Sequence, residues 1–175
     1  MSENHALRDL AIKDFSKLHS IEGIERAPAL RTFEIGNAVW STATIESFAP
    51  LAGTDLEHLV FTGKRIEDDD LSFLREMPNL KRFDFASNLF TTEQVAWIVA
   101  NMPQLSGDSL CAKIDFTAFN DETGEDDVPA TVIVGKRKPM LVNNGNEAKI
   151  LRYTENFERL VEGFKGKEQP RLCRK

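Results

Sequence analysis

The 175-residue sequence has little of what builds chemical centres. Its two cysteines, Cys111 and Cys173, are too few for a disulfide framework and form no Cys-x-x-Cys pair for zinc. Its three histidines, His5, His19 and His58, belong to no His-Glu-x-x-His. Gly-x-Ser-x-Gly and a phosphate-cradling glycine loop are missing as well. The expectation is therefore no cofactor, no metal and no catalysis. The acidic run Glu67-Asp68-Asp69-Asp70 has neither the alternate spacing nor the glycine of a calcium loop. Aspartates in that place are expected to start a helix, where they meet free amides and the positive dipole end. No apolar run approaches the length of a membrane span, and no basic stretch at the start leads into an apolar one, so a cytoplasmic protein with no membrane partner is expected. A net charge of −6 argues against a nucleic-acid surface.

What is present is a period. In Leu80-Lys-Arg-Phe83-Asp-Phe85, apolar residues alternate with polar ones as in a half-buried strand. Val95, Ile98, Val99 and Met102 then fall at helical spacing. Thr91 with Gln94 forms a capping-box pattern, Phe90 with Val95 a hydrophobic staple, and Asn88 is placed to satisfy the backbone of the intervening turn. The unit recurs as Leu7-x-x-Leu10-x-Ile12, Leu30-x-x-Phe33-x-Ile35 and Leu56-x-x-Leu59-x-Phe61, at intervals of 23, 26 and 24 residues; Leu105 would open the next. On the return side, Ile45, Leu71 and Val95 stand fifteen residues after Leu30, Leu56 and Leu80, and Phe48, Leu74 and Ile98 stand eighteen after. Helices are expected there, around Leu18, Ile21 and Ile24, around Ile45, Phe48 and Leu51, and around Leu71, Leu74 and Met77. Pro28, Pro78 and Pro103 each precede the next first leucine by two residues, where a helix must have ended. Trp40 is read as packing in the second turn, and Lys64 replaces the turn asparagine in the third.

Beyond Leu105 the template decays. Leu105, Leu110, Ile114 and Phe116 can supply one irregular strand, and Asn120 to Asp127 read as an acidic, solvated loop. Thr131 to Val134 read as a strand, Gly135-Lys-Arg-Lys-Pro139 as a basic turn, and Met140 to Val142 as a second short strand. The basic turn is expected to be solvated, with anion binding or an address signal as its functional alternative. Ile150, Tyr153, Phe157, Leu160, Val161 and Phe164 mark a helix capped by Asn144 or Asn146. The expected organisation is a tail at 1–6, repeats over 7–116, a capping region over 117–166 and a tail at 167–175.

Residues 7 to 105 resemble the leucine-rich repeat family. Phe48-Ala-Pro-Leu51 is similar to repeats of the internalin type, while Asp70 to Leu80 is similar to longer, more helical repeats. The segment Phe90 to Pro103, the basic turn and the last helix resemble small bacterial repeat proteins. The resemblance implies an α/β chain: a short solenoid with a parallel concave sheet and helices on its convex side, closed by an α+β C-terminal cap. It also implies a scaffold that binds another protein.

Alternation sends the third, fifth and seventh template positions to the concave surface, giving the rows Asp9, Ala11, Lys13; Thr32, Glu34, Gly36; His58, Val60, Thr62; and Arg82, Asp84, Ala86. Its small, partly apolar centre and mixed-charge flanks suit an interface, against the plainer reading of a solvated sheet face. The partner-binding residues expected on it are Glu34, His58, Val60, Thr62, Arg82 and Asp84. The function expected is a non-catalytic protein-binding scaffold of a regulatory or immunity-like kind. One alternative is a self-associating structural protein, a homo-oligomer built through the thinly covered strand edge near Leu7. The other is a hydrolase-like enzyme centred on His58.

Overall fold

The computed structural model describes residues 5–13, 17–36, 44–63, 65–120 and 125–169. The readings made for Trp40, Lys64, Cys173 and the outermost tails lie outside these. The chain forms two compact units. The first is Met1–Ala86 with Gln104–Gly107, and the second is Ser87–Pro103 with Asp108–Lys175.

In the first unit, strands β1 (Asp9–Lys13), β2 (Thr32–Gly36), β3 (His58–Phe61) and β4 (Arg82–Phe85) make a parallel sheet in the order of the chain. The pairing sets equal template positions opposite each other: Leu10, Phe33, Leu59 and Phe83 in one row, and Ile12, Ile35, Phe61 and Phe85 in the next. Phe33, Ile35, Leu59, Phe61 and Phe83 are wholly buried, each worth about 1.5–3 kcal/mol in area removed from water. Leu10 and Ile12 are only half-buried, because β1 pairs on one side alone among the described residues. Beyond β4 the sheet gains a single rung. Ser106 donates its N–H to Lys81 O at 2.9 Å and accepts from Phe83 N at 2.8 Å, at the template position that Arg31, Glu57 and Lys81 hold just before β2, β3 and β4.

The return side is built differently from the helices expected. Three 3-10 turns, Ile24–Arg26, Ala49–Leu51 and Ser72–Glu76, stand where the first three were read. Runs of three to five residues are too short to close a ladder of i→i+4 bonds, and Pro50 sits in the first turn of its 3-10 stretch. The burial read from the spacing is nevertheless present: Ile45, Phe48, Leu51, Leu71 and Leu74 are wholly buried. Phe48 is a hub. Its ring lies 4.9 Å from Phe61, 5.7 Å from Phe73 and 6.4 Å from Phe83. The acidic run serves the backbone: Asp68 Oδ1 accepts from Asp70 N at 3.1 Å and Asp70 Oδ1 from Ser72 N at 2.8 Å, where the third turn begins.

The second unit carries α1 (Thr92–Asn101), an antiparallel sheet of β5 (Lys113–Asn120), β6 (Glu125–Ile133) and β7 (Met140–Val142), and α2 (Glu147–Phe164). The capping box is complete, with Gln94 N donating to Thr91 Oγ1 at 3.2 Å and Thr91 N to Gln94 Oε1 at 2.9 Å. α1 packs on α2 and holds its C-terminal end. Trp97 Nε1 donates to Lys167 O and Asn101 Nδ2 to Phe164 O, each at 3.0 Å. Two sequence readings change here. Within the segment read as a loop, Asn120 and residues 125–127 are strand, since Ala118 pairs with Val128 and Asn120 with Glu125; a hairpin ladder satisfies backbone groups whatever the polarity of the side chains. Asn88 is exposed. The turn carbonyls are met instead by the basic segment, with Gly135 N donating to Ser87 O and Lys136 N to Phe90 O, each at 2.8 Å.

Candidate functional site

The outer face of the parallel sheet gathers most of the residues expected on it. Register places Ala11, Glu34, Val60 and Asp84 in one row and Asp9, Thr32, His58 and Arg82 in the row beside it. Parallel strands about 4.8 Å apart bring side chains of one row within reach of each other. Glu34 takes Lys13 Nζ at 2.9 Å. Asp84 Oδ2 accepts from His58 Nε2 at 2.9 Å and from Arg82 Nε at 2.5 Å. An ionised carboxylate only accepts, so this contact requires a proton on His58 Nε2. Val60 lies half-buried between Glu34 and Asp84. Thr62 stands apart: it is exposed past the end of β3, and its hydroxyl sits where a side chain on Gly36 would be, 1.9 Å from an ideal Cβ there.

Sequence reasoning missed the row at the start of the strands. The residue after each first leucine is charged, as Arg8, Arg31, Glu57 and Lys81. With Asp9, Thr32, His58 and Arg82 these line an open groove of about 480 Å³. Lys81 Nζ meets Glu57 Oε2 at 2.5 Å, and Arg31 Nη2 lies 3.8 Å from Asp55 Oδ2. The hydrogen bond and the charge of Lys81 hold the Glu57 carboxyl below its ordinary range. Four cations, Arg8, Arg31, Lys81 and Arg82, and two carboxylates, Asp9 and Glu57, line the groove, and Lys81 is paired with Glu57. The periodic charge after Leu7, Leu30, Leu56 and Leu80 was the available signal.

A second missed surface is the outer face of the antiparallel sheet. Register sets Phe116, Ala130 and Val142 in one row and Ile114, Val132 and Met140 in another, while Thr131, Ile133 and Leu141 are buried on the opposite face. Phe116, Met140 and Val142 are exposed at 36%, 62% and 44%. One face of this sheet thus shows an exposed apolar row, while the other mixes Ile133 and Leu141 with Lys113, Asp115 and Thr131. The one free thiol among the described residues, Cys111, is half-buried, and desolvation pushes its pKa up, away from the reactive thiolate form. No group of His, Cys, Asp or Glu able to hold a metal ion occurs among the described residues.

No protein-family model matches the chain, no curated protein matches it, and no solved structure matches its fold.

Proposed function

We propose that the protein is a non-catalytic binding scaffold of the leucine-rich repeat kind, working in the cytoplasm, which holds another protein on the outer, concave face of its parallel sheet. The observation that carries this reading is the lateral pairing on that face. His58, Arg82 and Asp84, and Lys13 with Glu34, are held in place by one another around Val60. Side chains ordered before contact lose less entropy on binding, and an apolar centre inside a charged rim is how interfaces are built. Among the described residues no helix is long and apolar enough to cross a membrane.

The test is retention of partners from cell extract on immobilised protein. Arg82→Glu combined with Asp84→Lys should release what the unaltered protein retains, through like-charge contacts. Glu22→Lys with Glu76→Lys, on the 3-10 side, should retain it. Identical retention by the two double variants would sink the assignment to this face. The hydrolase alternative has its histidine and carboxylate in contact. It would be revived if His58→Ala abolished an esterase activity present in the pure protein.

One observation favours self-association as a second reading. Strand β1 reads Asp9-Leu-Ala11-Ile-Lys13, so an antiparallel two-fold centred on Ala11 sets each Asp9 against the Lys13 of a second copy and each Leu10 against an Ile12. The apolar groove behind the edge, about 400 Å³ between Leu10, Ile12, Ile21 and Phe33, would then be covered. Light scattering decides: a dimer abolished by Ala11→Pro supports it, and a monomer at high concentration removes it.

A further inference from the structure

The basic turn and α2 together make a cleft that nothing above accounts for. Lys138, Arg152, Tyr153, Glu155, Asn156 and Arg159 line about 410 Å³ of open space on the second unit. Arg152, Asn156 and Arg159 are four and three residues apart, hence on one helix face, and Lys138 reaches over from the turn with its Nζ 5.5 Å from the Tyr153 ring centroid. Arg159 Nη2 donates to Asn156 Oδ1 at 2.7 Å, which orients the guanidinium and leaves the Asn156 amide N–H groups free to donate.

Several cations elsewhere on the described surface are ion-paired. Lys13, Arg31, Lys81, Arg82, Lys113 and Lys165 each lie against a carboxylate. Lys138, Arg152 and Arg159 have no such ion pair among the described residues, and Glu155 is the one carboxylate in the lining. The lining therefore carries three positive charges and one negative, a local excess of two in a chain of net −6. The turn is also held rigidly. Gly135 N and Lys136 N bond to Ser87 O and Phe90 O, Lys138 N bonds to Gly135 O at 3.2 Å, and Gly135 has φ +136 with Thr92 Oγ1 only 2.3 Å from an ideal Cβ.

We propose that this cleft binds a dianionic phosphoryl group, the Arg152 and Arg159 guanidinium groups taking its oxygens, with Lys138 and the Asn156 amide closing the shell. Guanidinium forks match the geometry of phosphate oxygens and grip them bidentately. A phosphate monoester carries about −1.5 to −2 at neutral pH, which balances the excess of two. The group can belong to a free phosphate ester or to a phosphorylated side chain, since the cleft is open and reads the same chemistry in either.

Titration of the whole protein with inorganic phosphate, followed by backbone amide shifts at low ionic strength, tests this. Saturable shifts are expected at residues 136–138 and 152–159, weakening as pH falls and the anion loses its second charge. Arg152→Gln with Arg159→Gln should weaken binding at least tenfold while the helical signal persists, and Lys165→Gln should leave it unchanged. A phosphoserine peptide binding tenfold more tightly than inorganic phosphate would identify a phosphorylated side chain as the source. Equal affinities would identify a free phosphate ester. Shifts that never saturate, or that survive the double substitution, overturn the proposal.

Discussion

Thr91 and Asn88 stand three residues apart, and the structure separates their roles. Thr91 takes the Gln94 amide proton as an N-cap, and truncating such a cap costs about 1 kcal/mol, up to about 2. Asn88 is exposed, and the turn beside it is bonded by backbone from 135 and 136. Urea unfolding should therefore find Thr91→Ala destabilised by about 1 kcal/mol and Asn88→Ala within about 0.5; the reverse order would refute this account of the turn. Asp115 gives the matching prediction in pH. Its carboxyl accepts from Lys113 and, at 2.7 Å, from the Thr131 hydroxyl, which hold it below its ordinary value of 3.8. A depressed carboxyl stabilises the fold above the unfolded value and loses that contribution as pH falls through the folded one. Melting of Asp115→Asn should thus fall less steeply below pH 4 than melting of the unaltered protein, a small difference for a solvent-screened pair. Parallel acid limbs would rule the linkage out.

Among the elements, the strands and α1 were legible because their signals are local. Alternation marks β1 to β4, and a complete capping box marks α1. The 3-10 turns were not legible as such, since Ile45, Phe48 and Leu51 are buried at helical spacing whether the backbone closes i→i+3 or i→i+4 bonds. The strand content of 125–128 was hidden for another reason: the pairing that makes it a strand is with 118–120, and acidic composition alone reads as loop. The face residues followed from alternation, whereas the groove at the strand starts needed the register. Two predictions belong at this scale. Gly135→Ala should cost more than 2 kcal/mol, because the new methyl meets both the hydroxyl and the backbone nitrogen of Thr92, at 2.3 and 3.1 Å; an unaltered midpoint in urea would show that the turn yields. Phe116→Thr with Met140→Thr should leave that midpoint nearly unchanged while lowering binding of an apolar dye, since both side chains already face water. Unchanged dye binding would place the sticky surface elsewhere.

For the molecule as a whole, the chain passes between its two units three times, after Ala86, after Pro103 and after Gly107. α1 falls in the same compact unit as α2, although the period joins it to β4. Neither unit is one continuous stretch of sequence. A fragment of residues 1–86 lacks Ser106 and leaves Lys81 O and Phe83 N without their partners. It should aggregate or lose its cooperative transition in circular dichroism, and a sharp, soluble, monomeric melt of that fragment would contradict this.

The in-register parallel sheet has one more consequence, for how the chain can change in length. Each strand meets its neighbours at equal template positions, so the pairing on one side of a strand is indifferent to how many strands lie on the other. Duplicating residues 56–79 in tandem inserts 24 residues and one more strand, and widens the sheet by about 4.8 Å with every existing rung reproduced. An insertion of a dozen residues at the same place would strand its apolar half-period without a row to join. Growth of this molecule is quantised, and a ladder of tandem duplications, followed by melting temperature, would rise in whole steps or fail.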